Sequence, residues 1–185
     1  MTVRWHLREA VRHISSGGVI AYPTDTVYGL GCNPYDGAAV LHLLALKQRS
    51  TAHGVILIGS RLDQFAPFLA PLSKTTVRRI TAASRSPVTW VLPCREGTPA
   101  WLTGQHHTLA VRMTRHPVAA ALCEHWGGPL VSTSANLHGH HPATSPLQVR
   151  KAFNGKLDYI LHGHAGATNV PSTIRDGLTG KVIRH

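Results

Sequence analysis

The sequence predicts a single α/β domain with a mixed sheet, because strand-like and helix-like segments alternate along a chain of one-domain length. The chain has 185 residues, a length that suits one domain, and we expect that domain to span residues 1–185. Apolar residues make up 43% of the chain, which is enough for a sizeable core. Short apolar runs alternate with segments whose apolar residues recur at helical spacing, and this order is typical of α/β proteins.

Helical periodicity defines the predicted helices. Apolar residues at positions 3, 7, 11 and 14 fall on one face of a helix over 3–14, and two glycines end it at 17–18. A second helix is predicted over 36–47, beginning near Asp36. The remaining helices are predicted over 73–83, 117–126 and 146–153.

Apolar and β-branched runs define the predicted strands. The earliest is 19–22, a continuous apolar run that ends at Pro23, as a buried strand would. The run over 55–58 has the same character. Further strands are predicted over 88–92, 109–112, 129–132, 158–161, 172–175 and 181–184. This pattern gives a mixed sheet without fixing the strand order.

Composition excludes several classes of protein. The apolar runs are too short to span a bilayer, and the first residues lack the apolar segment of a signal peptide, so we expect a cytoplasmic protein without membrane contact. Cys32, Cys94 and Cys123 are widely spaced and odd in number. They argue against a disulfide framework and a cysteine zinc site, and we expect buried apolar thiols in a reducing compartment.

The charge balance is strongly basic. Lys and Arg number 19 against 8 Asp and Glu, giving a formal net charge of +11 and a pI near 10.5. This excess indicates polyanions or phosphorylated small molecules as partners. Arg4, Arg8 and Arg12 form a stripe at i, i+4 spacing that fits either an RNA phosphate contact or a merely solvated face.

Three hydroxyl-rich clusters follow predicted strands, where α/β proteins commonly place ligand sites. The first, 22–31, holds Thr24 and Thr26, and a plain β-turn is its alternative. The second, 132–136, reads Ser-Thr-Ser-Ala-Asn, and a helix N-cap is the alternative for its last polar residues, Ser134 or Asn136. The third cluster is 171–176.

Lys47 and Arg49 close the second predicted helix. They suit a phosphate site, and the alternative is two cations stabilised by the helix dipole. The chain has no phosphate loop, dinucleotide fingerprint or nucleophile elbow, and its acids are too few to indicate a paired-carboxylate hydrolase. The histidines at 138–141 and 162–164 lack metal-site spacing, so we expect solvated loop residues there rather than a metal site.

Together, these clusters and their order resemble the threonylcarbamoyl-AMP synthase family, the YrdC-like domain in its short bacterial TsaC type. The matching stretches span most of the chain and are 21–31, 46–49, 101–104, 109–112, 129–136 and 171–176. The resemblance implies a twisted mixed sheet flanked by helices, with a basic concave face. It also implies an enzyme that condenses L-threonine, bicarbonate and ATP to threonylcarbamoyl-adenylate and pyrophosphate, for modification of tRNA by partner proteins.

The resemblance also implies roles for individual residues. Lys47 and Arg49 would be catalytic by holding phosphates and neutralising developing charge. The wider ATP-binding set would add Thr108, Ser134, Asn136 and Arg184. Threonine would be held by Thr24, Arg112, Ser132 and Ser172. Mg²⁺ would accompany ATP, and no protein side chain is identified as its ligand.

A non-catalytic RNA-binding module in tRNA or ribosome maturation is the alternative function. The basic charge supports it. Aromatic residues are only 6% of the chain, fewer than base stacking would favour. The dense hydroxyl clusters favour a small-ligand pocket instead.

Overall fold

The computed structural model describes residues 2–82, 84, 86–137, 139–166 and 172–184, with side chains from Arg4 onward. The helices within these ranges are α1 (Thr2–Ser15), α2 (Gly37–Leu46), α3 (Lys74–Thr81), α4 (Ala100–Thr103), α5 (Pro117–Trp126) and α6 (Pro146–Phe153). The strands are β1 (Ile20–Pro23), β2 (Tyr28–Gly31), β3 (Ile56–Gly59), β4 (Val88–Pro93), β5 (Thr108–Met113), β6 (Leu130–Ser134), β7 (Tyr159–Ile160), β8 (Thr173–Asp176) and β9 (Val182–Arg184).

The strands of the described residues form one mixed sheet in the order β7-β1-β2-β6-β3-β5-β4-β8-β9. The pairs β1–β7, β3–β5 and β4–β8 are parallel, and the other neighbours are antiparallel. The connection from β7 to β8 therefore runs from one edge of the sheet nearly to the other. The predicted hydroxyl clusters lie next to β1, β6 and β8. In the sheet, β1 and β6 are two positions apart, and β8 is four positions beyond β6.

Helices cover both faces of the sheet. On one face α1 and α5 pack through Leu7, Ile14 and Leu122 against Ile20 and Ile58. The other face carries the larger core, to which α2, α3, α4 and α6 contribute. Because side chains alternate across a strand, β1, β3 and β6 divide their apolar residues between these two cores. The exposed side of α1 carries Arg4, Arg8 and Arg12.

Side-chain caps fix where several helices begin. Ser73 and Ser145 accept hydrogen bonds from the backbone N–H groups of Thr76 and Gln148. Asp36 accepts one from Ala39 at the start of α2, as its position in the sequence predicted. Each cap satisfies a backbone donor that the first helical turn leaves unpaired.

The alternation of strands and helices predicted from the sequence is confirmed, with two differences in the strands. The segment 28–31 is a strand, β2, which the pattern missed because two of its four residues are glycine. Strand β6 extends to Ser134, so Ser132 lies inside a strand and not after one. Antiparallel pairing with β2 and β3 carries the strand through these polar residues.

Cys32, Cys94 and Cys123 are free thiols; the first and last are buried, and Cys94 is half-buried. Burial raises the pKa of Cys32 and of Cys123 to about 12, with nearby carboxylates adding to the rise. Among the described residues, no helix combines the length and apolar character that crossing a bilayer requires.

Candidate active site

Residues from all three hydroxyl clusters line one cavity of about 220 Å³. The strands β2, β6 and β5 and the segments that follow β1 and precede β8 surround it. Its polar lining consists of Thr24, Thr26, Tyr28, Thr133, Ser132, Ser134 and Ser172 together with Arg49, Arg112 and Arg184. The cavity therefore combines hydroxyl groups with guanidinium groups, and its described lining contains no carboxylate.

Glycines in β2 allow the neighbouring polar side chains to approach one another. A Cβ atom at Gly29 would lie 3.1 Å from Thr24 Cγ2 and 3.4 Å from Ser132 Oγ. At Gly31 it would lie 2.7 Å from Tyr22 Cε1 and 2.5 Å from a backbone oxygen of β6. The absence of a Cβ atom at Gly31 therefore leaves room for Tyr22, and its absence at Gly29 leaves room for the side chains of Thr24 and Ser132.

The turn after β1 is held both locally and by distant residues. The backbone N–H and the hydroxyl of Thr24 both donate to Val27 O, at 3.2 and 2.7 Å. The Thr24 carbonyl accepts from Gly166 N at 2.9 Å, and Tyr28 Oη donates to Gly163 O at 2.6 Å. The chain thus turns between Thr24 and Val27 and forms part of the cavity wall, but Asp25 does not satisfy local backbone groups as the β-turn alternative supposed.

Arg112 is a buried cation with few protein partners. Its side chain comes from β5, and the residue is 8% exposed. Within the described part of the chain, no group accepts a hydrogen bond from its Nε atom, and no ion pair involves it. Burial lowers the pKa of its guanidinium, while Tyr22 and Asp25 act in the opposite direction. A buried charge without a partner is costly, so this cavity is prepared for an anion.

Lys47 is also buried, but protein oxygens surround its ammonium group. Its Nζ atom donates to Ser134 O at 2.5 Å, to Asn136 O at 2.7 Å and to Asn136 Oδ1 at 2.9 Å. Burial lowers the pKa of Lys47 to about 8, and the charge of Arg49 contributes to the shift. The helix-dipole alternative does not describe this contact, because Lys47 binds β6 and the turn after it.

Arg49 leaves the helix in a different direction from Lys47. Gln48, between them, has a φ of 51°, which turns the chain at the end of α2. The Arg49 guanidinium donates to Gly54 O at 3.0 Å. Burial lowers its pKa, and the charge of Arg184 lowers it further. The two arginines therefore bring like charges to one side of the cavity, an arrangement that a bound phosphate would relieve.

The polar ends of β6 and β8 are fixed by side-chain hydrogen bonds. Ser134 Oγ donates to Asn136 Oδ1 at 2.6 Å, and Asn136 Nδ2 donates to the carbonyls of Leu137 and His140. No helix starts here, so the N-cap alternative for Ser134 and Asn136 is wrong. Ser172 shares a 2.8 Å hydrogen bond with Thr89.

The structure brings most of the predicted site residues together. Seven line the cavity directly: Thr24, Arg49, Arg112, Ser132, Ser134, Ser172 and Arg184. Lys47 and Asn136 join them through Ser134. Thr108 lies at the start of β5, four residues from Arg112, and does not line this cavity. Position 171 of the third cluster lies outside the described residues.

Sequence reasoning missed two kinds of lining residue. Ile56 lines the cavity from a predicted core strand, and Tyr28 lines it from the first hydroxyl cluster, where sequence reasoning assigned its aromatic ring no role. No sequence signal separates an apolar side chain facing a ligand from one facing the core. Pro142 lines the cavity as well.

A larger cavity of about 490 Å³ lies beside this one and is less suited to chemistry. Its polar residues satisfy one another: Thr114 Oγ1 donates to Asp25 Oδ2 at 2.6 Å, and Arg115 Nη1 donates to Ser84 O at 2.9 Å. Among the described residues, its lining contains no buried cation without a partner.

The loop histidines are exposed to solvent, as the sequence predicted, where the structure describes them. His140, His141, His162 and His164 are exposed, and position 138 lies outside the described residues. Within those residues, no group of three or more His, Cys, Asp or Glu side chains could hold a metal ion.

Comparison with known proteins identifies the family. The model of the Sua5/YciO/YrdC family, described as telomere recombination, matches residues 12–185. The chain belongs to this family. The threonylcarbamoyl-AMP synthase of Nitrosococcus oceani is 51% identical over 180 residues, which are 97% of each chain. That of Cellvibrio japonicus is 47% identical in an alignment of 186 positions that covers 98% of each chain.

A solved structure of the Sua5/YciO/YrdC family has the same fold. The crystal structure of P. abyssi Sua5 complexed with L-threonine has a TM-score of 0.86 and 33% sequence identity. The match covers 93% of this chain and 51% of that one. Both the family resemblance and the α/β fold predicted from the sequence are confirmed.

Proposed function

We propose that this chain is a threonylcarbamoyl-AMP synthase, which condenses L-threonine, bicarbonate and ATP to threonylcarbamoyl-adenylate and pyrophosphate. The observation that carries this proposal is the buried Arg112 at the wall of a hydroxyl-lined cavity, with no ion pair and no partner for its Nε atom among the described residues. A guanidinium in that position suits the carboxylate of an amino acid, because the two groups can form paired hydrogen bonds. Relatives with this name are 47% and 51% identical to the chain over nearly its whole length.

The cavity has groups for each part of threonine. Arg112 would bind the carboxylate, and the hydroxyls of Thr24, Ser132 and Ser172 would bind the amine and the side-chain hydroxyl. Ile56 offers an apolar surface for the methyl group. P. abyssi Sua5, which shares this fold, was crystallised with L-threonine, and this supports a threonine site here.

The chemistry requires cations more than a protein base. The threonine amine and bicarbonate would combine to a carbamate with loss of water. A carbamate oxygen would then attack the α-phosphorus of ATP, and the bond from that phosphorus to the pyrophosphate oxygen would break. Two anions meet in this step, so catalysis rests on positioning and on neutralising charge. Arg49 and Arg184 lie at the same cavity and would supply that charge.

The nucleotide would extend from the cavity along the end of α2 and β6. Lys47, Arg49, Ser134, Asn136, Arg184 and Thr108 are the proposed ATP contacts. Mg²⁺ would be carried mainly by the phosphates of ATP, because the described cavity lining offers hydroxyls but no carboxylate. Bound there, the ion would neutralise phosphate charge.

We further propose that the product serves tRNA modification in the cytoplasm, with partner proteins transferring the threonylcarbamoyl group to an adenosine. The exposed stripe of Arg4, Arg8 and Arg12 supports direct contact with RNA, although Glu9 pairs with Arg12 at 2.8 Å. Binding of tRNA should then weaken steeply with added salt and with Arg8→Glu. Insensitivity to both changes would remove this contact.

The decisive experiment measures pyrophosphate release by the purified protein. We expect release from ATP only when L-threonine and bicarbonate are both present. Threonine-independent release, or no release by a well-folded sample, would contradict the proposed function. A non-catalytic RNA-binding module, the alternative from the sequence, has no use for a buried cation inside a hydroxyl-lined cavity.

A further inference from the structure

Asp25 is the acidic residue of the first hydroxyl cluster, and the proposed chemistry gives it no part. Its carboxylate contacts the far end of another strand rather than its own turn. Oδ2 accepts from Thr114 Oγ1 at 2.6 Å, and Oδ1 accepts from Arg115 N at 3.1 Å. Thr114 is only 3% exposed and Asp25 is half-buried, so this contact is partly shielded from water. Hydrogen bonds to a charged carboxylate are stronger than those between neutral groups.

The contact joins the two parts of the threonine site. Thr114 follows Arg112 by two residues, and in extended backbone residues at this spacing point to the same side. The Thr114 N–H donates to Gly59 O at 2.9 Å, which continues the pairing of β5 with β3. Asp25 stands between Thr24 and Thr26 in the turn after β1. Its carboxylate therefore ties that turn to the strand that carries Arg112.

Asp25 lies behind the proposed threonine site rather than in it. Thr24, Thr26 and Arg112 line the 220 Å³ cavity, whereas Asp25 and Thr114 line the neighbouring one. Asp25 also acts on Arg112 electrostatically, because its negative charge raises the pKa of the guanidinium against the effect of burial. It can thus influence threonine binding without touching the substrate.

We propose that Asp25 and Thr114 form a positioning pair that holds Thr24 and Arg112 at the separation that the amino acid requires. The pair rests on the proposed function, since it acts on the threonine site. The nucleotide contacts at Lys47, Ser134 and Asn136 have their own hydrogen bonds. Loss of the pair should therefore weaken threonine much more than ATP.

The test uses the full chain with matched substitutions. Thr114→Val keeps the shape of the side chain and removes its hydroxyl, while Thr114→Ser keeps the hydroxyl. Asp25→Asn leaves one amide oxygen for two donors. We expect Thr114→Val and Asp25→Asn each to raise the KM for threonine about tenfold, with the KM for ATP changed less than about twofold. Thr114→Ser should stay within about twofold of the unaltered protein.

The double variant sharpens the test. Because both substitutions break one link, Asp25→Asn with Thr114→Val should be no worse than the more damaging single change. Thermal unfolding shows whether each variant is folded at the assay temperature. Should Thr114→Val not fold, the comparison of Asp25→Asn with Thr114→Ser still decides the question.

Two results would overturn the positioning pair: an unchanged KM for threonine in folded Asp25→Asn, or an equal rise in the KM for both substrates. Failure of the proposed function would look different, because the unaltered protein would then show no threonine-dependent pyrophosphate release. In that case calorimetric titration of L-threonine into the unaltered protein and Thr114→Val decides the matter. Equal affinities, or no binding to either, would overturn the pair, and about tenfold weaker binding to the variant would support it.

Discussion

Lys47 and Arg112 are buried cations of the same site that the protein treats in opposite ways. Three protein oxygens accept hydrogen bonds from Lys47 Nζ. Arg112 has no ion pair among the described residues, and its Nε atom has no partner there. The three N–H donors of the Lys47 ammonium are thus taken up by the fold, so its proposed contact with ATP is through charge, whereas the guanidinium of Arg112 is left for a ligand. Proximity to a site does not by itself show which cation binds substrate.

The contrast has an energetic basis. Burying a charge costs free energy unless hydrogen bonds or an opposite charge compensate for it. Lys47 receives that compensation from β6 and the turn after it, and in return it holds Ser134 and Asn136 in place. Arg112 receives little such compensation, so its burial lowers the stability of the protein, as is common for charged groups at binding sites. The two residues should therefore respond differently to substitution.

Replacing Arg112 should have the largest effect on activity and little effect on folding. We expect Arg112→Met to lower kcat/KM for threonine by about 10²–10³-fold, since a buried ion pair with the carboxylate is lost. The free energy of unfolding should not fall, because the variant removes an unpaired buried charge. Steady-state kinetics and chemical unfolding measure the two quantities. A variant that is less stable yet fully active would reverse the assignment of Arg112.

Replacing Lys47 should affect folding and activity together. In Lys47→Met the carbonyls of Ser134 and Asn136 lose their buried donor, and we expect the free energy of unfolding to fall by about 1–3 kcal/mol. Turnover should also fall, because the proposed nucleotide contacts lose their support. Chemical unfolding beside the pyrophosphate assay checks both. Unchanged stability with lost turnover would mean that Lys47 acts on the substrate and not on the fold.

Substitutions at the two glycines of β2 should separate an effect on folding stability from an effect on threonine binding. Gly31→Ala should lower the free energy of unfolding by about 1–3 kcal/mol, because its Cβ would press on Tyr22 and on a backbone oxygen. Gly29→Ala meets Thr24 and Ser132 at 3.1 and 3.4 Å, so it should raise the KM for threonine about threefold with a smaller loss of stability. Equal increases in the KM for threonine in both variants would contradict the assignment of Gly31 to packing and of Gly29 to the threonine site.

How far the sequence predicts this site depends on the distance along the chain over which each contact acts. Thr24 and Ser132 could be found because polar residues follow apolar runs, and Arg112 was assigned through the family resemblance. The partners of Lys47 lie 87 and 89 positions away, and Asp25 meets Thr114 across 89 positions. Such pairs depend on strand order, which periodicity does not fix. The different surroundings of Lys47 and Arg112 are therefore invisible in the sequence, where both are cations beside apolar runs.

The protonation of Lys47 gives the most specific test of how Lys47 differs from Arg112, although the expected effect on the free energy of unfolding is the smallest. Burial and the charge of Arg49 lower its pKa from 10.5 to about 8 in the folded protein. Between these two values the unfolded chain binds more protons than the folded one, so this residue makes the free energy of unfolding rise with pH. Buried thiols such as Cys32 and Cys123, whose pKa values are raised, act in the opposite direction.

The unaltered protein and Lys47→Met share those opposing groups, so the difference between their unfolding free energies isolates Lys47. We expect that difference to shift in favour of the unaltered protein as the pH rises from about 8 to 10.5. Urea unfolding at several pH values in this window measures it. A difference that stays constant would show that the ammonium keeps an ordinary pKa despite burial. The three hydrogen bonds from Nζ would then compensate fully for the lost water, and the contrast with Arg112 would be larger still.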